Sequence, residues 1–96
     1  MGAVLTLLEA VRDLASFDGA SVICAAEPFT ENSATMIIPD QESGRLPEEV
    51  ERRGFKYFLE VFIARDFLED WVTDLNVAPT LVEKCARLIQ YAKNDS

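Results

Sequence analysis

Histidine is absent from this 96-residue chain. That absence excludes the Ser-His-Asp and Cys-His constellations, in which an imidazole takes the proton of the nucleophile. It also removes the commonest metal ligand, and the two cysteines, Cys24 and Cys85, make no zinc spacing. Both lie in apolar segments, where reduced core thiols are expected rather than a bridge. Gly2, Gly19, Gly44 and Gly54 are scattered, so no glycine-rich phosphate loop is present and no cofactor is expected. Bases are scarce: 9 Lys and Arg stand against 17 Asp and Glu, a net charge of −8. They form no stripe, which speaks against direct contact with nucleic acid. The sequence has no run of 18 apolar residues, and the apolar segment 3–16 carries Glu9, Arg12 and Asp13. Neither a membrane span nor a signal peptide is expected, and the cytoplasm is the expected compartment. Gly2 and Thr6 match the short myristoylation pattern, which recurs often by chance.

What is present is apolar content of 49%, enough for one domain over residues 1–96 with a core of its own. Val4, Leu8, Val11 and Leu14 or Ala15 recur at helical spacing through 3–16. Thr6-Leu-Leu-Glu9 fits a capping box, which would start the regular helix at Leu7. Residues 21–27 and 34–38 read as short apolar strands joined by a polar loop, an antiparallel hairpin. A polar loop at 40–46 leads to a short helix from Pro47 to Arg53, with Glu48–Arg52 and Glu49–Arg53 as i, i+4 pairs and Gly54 closing it.

Residues 55–60 read as a third strand, with one long helix from Phe55 onward as the competing reading. Ala64, Phe67, Leu68, Trp71, Val72 and Leu75 then mark the apolar face of a helix over 61–75. A second capping box, Thr80-Leu-Val-Glu83, opens a last helix to about Lys93 that turns Leu81, Val82, Cys85, Leu88, Ile89 and Ala92 inward. The sum is an α+β two-layer sandwich of order α-β-β-(α)-β-α-α. A three-stranded antiparallel sheet carries helices on one face, leaving the third helix or the far sheet face free for a partner.

Two constellations stand out. Asp66, Asp70 and Asp74 follow one another at i, i+4 with Glu69 beside them, and Arg65 is the only base on that helix. Like charges at that spacing repel, and Asp74 sits near the negative end of the helix. The ridge is either solvated surface or the complement of a basic patch on a partner protein. A divalent cation is a third reading, disfavoured because carboxylates along a straight helix rarely converge on one ion. The second constellation is aromatic. Strand alternation puts Phe55, Tyr57 and Leu59 on one face and Lys56, Phe58 and Glu60 on the other. If helices cover the first face, Phe58 is an exposed anchor for a partner or for a homodimer. The competing reading has another element covering it.

With Lys56-Tyr57-Phe58-Leu59 followed by two helices, the chain resembles a small bacterial α+β family of unknown function. In that family an N-terminal helix precedes two short strands, and an acidic loop leads to a K-Y-F-L strand. Here the loop's acids are diluted to Asp40, Glu42, Glu48, Glu49 and Glu51. The resemblance implies an order of elements and no activity. In size, charge and lack of catalytic residues the chain is also similar to bacterial immunity proteins and phage-encoded inhibitors of host defences, an analogy of class rather than motif. The expected function is a non-enzymatic, acidic protein-binding domain, an inhibitor or immunity-type protein that masks a basic surface. The partner-binding residues would be Asp66, Glu69, Asp70, Asp74 and Phe58. The alternatives are a structural module acting as a homodimer or subunit, and a small enzyme built on paired carboxylates.

Overall fold

Thr6 decides where the chain first becomes helical. The computed structural model describes residues 4–39 and 46–95. The Met1-Gly2 pattern and the loop residues from Asp40 to Arg45 therefore lie outside the described residues. The Thr6 hydroxyl accepts the Glu9 N–H at 3.1 Å, and the Glu9 carboxylate accepts the Thr6 N–H at 2.9 Å. An N-cap residue needs extended backbone, and Thr6 has φ −82° and ψ 158°. The segment just before the helix is therefore extended and can pair. Leu5–Thr6 forms strand β1 opposite Thr35 and Ala34, an element the sequence reading folded into its first helix.

Helix α1 then spans only Leu7–Arg12 and passes into a 3₁₀ turn at Leu14–Ser16. Its core face is Leu7, Ala10, Val11 and Leu14, while Val4, expected on that face, is exposed.

Strands β2 (Ser21–Ala26) and β3 (Ala34–Pro39) form the expected antiparallel hairpin, with Ile23 opposite Ile37 and Cys24 opposite Met36. The hairpin loop also serves α1, because the Glu31 and Ser33 carbonyls accept the N–H groups of Leu8 and Leu7 at 2.9 and 3.0 Å. Helix α2 (Glu48–Arg52) follows, with Glu48 and Arg52 paired at 2.6 Å. Gly54 closes it at φ 88°, a backbone region that disfavours side chains with a Cβ. Strand β4 is Phe55–Glu60, and helix α3 (Val61–Thr73) starts at the very next residue. That boundary agrees with the strand reading, not the long-helix one. Helix α4 spans Leu81–Asp95 behind its Thr80 capping box.

Among the described residues the fold is α+β, with four α-helices and a four-stranded antiparallel sheet of order β1-β3-β2-β4. The fourth strand and the opening β-α order correct the three-stranded expectation. Central β2 is buried on both faces. Ile23 and Ala25 join the main core with α1, α3 and α4, while Val22 and Cys24 join a smaller core with Met36, Ile38, Val50 and Phe55. Val50 of α2 thus covers the far side of the sheet, so that face is not left free as expected.

Candidate functional site

Helix α3 sorts its side chains by the 100° step of an α-helix. Val61, Ala64 and Leu68 are buried, and Phe67, Trp71 and Val72 are half-buried on either side of them. Opposite that stripe, Asp66, Glu69, Asp70 and Asp74 are all exposed. The structure therefore brings the four acids onto one solvent-facing surface.

Arg65, the one base of the helix, forms no ion pair with Glu69. Its guanidinium reaches across to the 3₁₀ turn and donates to the Leu14 carbonyl at 3.0 and 2.9 Å and to the Phe17 carbonyl. Gly19 lies beside this arm: a Cβ there would meet Arg65 Nη1 at 3.4 Å and Phe62 Cβ at 3.8 Å, ordinary contact distances. Carbonyls at the end of a short helical turn keep lone pairs open to further donors, and a half-buried stem with a charged tip reaches them. The consequence for the ridge is electrostatic. None of its four acids enters an ion pair among the described residues; Arg12–Asp13 at 2.9 Å and Arg52–Glu48 at 2.6 Å are ion pairs elsewhere on the surface. Asp74 is the C-cap residue of α3, with φ −83° and ψ −6°, so its charge sits at the unfavourable end of the helix dipole. Among the described residues no group of three or more carboxylates or thiols is placed to hold a metal ion.

Phe58 departs from the expectation. It is 3% exposed, packs in the main core and meets Phe29 edge to face, with ring centroids 5.0 Å apart. The cause is a bulge in β4. Tyr57 pairs with Cys24 and Leu59 with Ile23, so Phe58 is an extra residue between them. The bulge breaks the period of two, and Phe58 and Leu59 both enter the same core. Tyr57 is the β4 aromatic that is exposed.

The exposed aromatic beside the acids is instead Phe62, at 50% exposure. It opens the row Phe62, Asp66, Asp70, Asp74, four residues apart throughout. That row was visible in the sequence as spacing, but the helix start at Val61 was needed to see that Phe62 faces outward.

The remaining reactive groups are quiet. Cys24 and Cys85 are free and buried in different cores, and burial pushes each thiol up to about 11, Glu31 adding to the shift at Cys85. A thiol held protonated in this way is a poor nucleophile. Four surface grooves carry one carboxylate each among their lining residues: Glu27, Glu83, Glu69 and Glu49. The groove at Glu69 also gathers Arg12, Arg65 and Lys84 around Val11, Leu14, Leu68 and Val72. Two carboxylates flanking one scissile bond do not meet in any of these four. No described helix is long and apolar enough to cross a membrane. No protein-family model matches the chain, and searches of curated proteins and of solved structures returned no significant match.

Proposed function

We propose that this chain is a non-enzymatic protein-binding domain whose α3 ridge docks on a basic surface of a partner protein. The observation that carries the reading is that the four acids enter no ion pair among the described residues. Asp66, Glu69, Asp70 and Asp74 are exposed together, while the helix's own base is turned away to the Leu14 and Phe17 carbonyls. An intrahelical Arg65–Glu69 pair would have been worth a few tenths of a kcal/mol. Instead the ridge carboxylates stay out of ion pairs, and their field raises the encounter rate with a basic partner and penalises an acidic one. Phe62 offers an apolar contact at one end of the row. An inhibitor or immunity-type role, in which the domain masks a basic functional surface, is the specific form of this reading. The alternative, a structural module acting as a homodimer or subunit, loses Phe58 as an anchor, since that side chain is in the core; light scattering tests the alternative itself.

The test is capture of partners from the source cell by the wild-type chain and by the Asp66→Asn, Asp70→Asn, Asp74→Asn triple variant, at low and raised salt. The expected result is a defined partner retained at low salt and lost both in the variant and at high salt. Equal capture in all conditions overturns the electrostatic reading.

A further inference from the structure

The link between α3 and α4 is unusual for a surface turn. Turns that join helices draw on polar residues, glycine and proline, yet this one reads Leu75-Asn-Val-Ala-Pro-Thr80. Leu75 is 37% exposed, Val77 78% and Val82 52%. Single exposed apolar side chains need no explanation, but a contiguous group does. Leu75 and Val77 belong to such a group. With Trp71, Asn76, Ala78, Pro79 and Glu83 they line a cleft of about 330 Å³, and Val82 lies outside that lining.

One lining residue is acidic: Glu83 stands on the α4 side. Asp74, exposed at the end of α3, follows Trp71 by about one turn and donates its N–H to the Trp71 carbonyl at 3.2 Å. The Glu83 carboxylate accepts the Thr80 N–H at 2.8 Å, and that bond holds its carboxyl below the usual range, so the charge persists. The cleft therefore offers a mainly apolar lining with Glu83 on one side and Asp74, the last acid of the ridge, next to the other.

We infer that this cleft takes the apolar anchor of a lysine- or arginine-rich amphipathic segment of the partner protein, whose basic residues meet Asp74 and Glu83. The inference rests on the ridge reading and adds its partner class. Charge complementarity selects a basic segment over an acidic one. The apolar lining selects an amphipathic segment over a purely basic one. The ridge alone gives a salt-dependent attraction; the cleft gives it a register.

The chain's only tryptophan, Trp71, lies in the cleft wall and reports on it directly. Three synthetic peptides of equal length serve as probes: an amphipathic Lys/Leu helix, an all-Lys peptide, and a Glu/Leu helix. Binding is followed by Trp71 emission and by amide chemical-shift mapping. The expected result is that the Lys/Leu peptide binds at least about tenfold more tightly than the other two. It should shift Trp71 emission to the blue and move the amides of residues 75–83. The Leu75→Ser, Val77→Ser double variant changes only exposed side chains of the lining and leaves the net charge alone. It should remove that advantage and leave the weak all-Lys contacts on Asp66 and Asp70 in place.

Equal affinity for the Lys/Leu and all-Lys peptides, or shifts confined to sites outside 70–83, overturns the cleft and leaves the ridge standing. No binding of the Lys/Leu peptide also overturns the cleft. Loss of the all-Lys contacts alone counts against the ridge.

Discussion

Phe58 and Phe62 lie four positions apart, yet one is 3% exposed and the other 50%. Composition cannot tell them apart; backbone phase can. The bulge inserts Phe58 into the core, and the helix start at Val61 turns Phe62 out. The two therefore respond differently to truncation. Phe58→Ala leaves a cavity against Phe29, Leu59 and Val61 and should cost about 3–5 kcal/mol in urea unfolding. Phe62→Ala should stay within about 1 kcal/mol. A reversal of that order would place the bulge wrongly. The buried thiols give a residue-scale prediction in pH. Their folded pKa values are raised from 9.0 to about 11, so the unfolded chain ionises first. Stability from this source is complete below pH 9 and is lost as the pH rises through 9 towards 11. Comparing wild type with Cys24→Ala, Cys85→Ala over pH 8–11 checks it: the alkaline fall should be shallower in the variant, and an identical slope would show that the thiols do not couple to folding.

At the scale of elements, what the sequence announced by local chemistry came through. Both capping boxes formed, the β2–β3 hairpin paired, Gly54 closed α2, and the β4–α3 boundary fell at Glu60. What failed depended on tertiary pairing. Two residues, Leu5 and Thr6, are too short to show a period, and they become a strand only because β3 offers an edge. A bulge has no local signature in Phe-Lys-Tyr-Phe-Leu-Glu; it appears only against β2. Helix α2 has one apolar side chain, Val50, so its choice of sheet face was not legible. The α3 ridge was fully legible, because i, i+4 spacing of acids needs only the helix. The turned-away Arg65 was not, since its acceptors lie some fifty residues back in the chain. The bulge has a further effect: β4 is an edge strand, and a bulge together with Lys56 blunts such edges against pairing with another copy. For the capping boxes the expected outcome is a loss of about 1 kcal/mol for Thr6→Ala, read as a lower urea midpoint at unchanged slope. Gly54→Ala should cost about 1 kcal/mol or more, because alanine resists the positive φ.

The whole molecule carries a net charge of −8 on a body of 43 × 24 × 24 Å. Charge of one sign on so small a domain opposes compaction, and the ridge is where that opposition is most local. Two i, i+4 repulsions, Asp66–Asp70 and Asp70–Asp74, each cost a few tenths of a kcal/mol, and Asp74 adds a similar amount at the helix C-terminus. Among the described residues no base offsets them. Replacing the three by Asn removes the charge and keeps nearly the same helix propensity and side-chain size. The triple variant should therefore be more stable than wild type, by about 1 kcal/mol at about 0.01 M salt, where the screening length is about 30 Å. At about 1 M salt the screening length falls to about 3 Å, shorter than the spacing of neighbouring ridge carboxylates, and the difference should vanish. Urea unfolding of both proteins at the two salt concentrations measures it. The comparison bears on function because the same substitutions are expected to abolish capture of a basic partner. A variant that gains stability and loses binding marks the ridge as a place where association opposes folding. A variant that loses stability at low salt would show instead that these carboxylates support the fold, and their exposure would then need no partner to explain it.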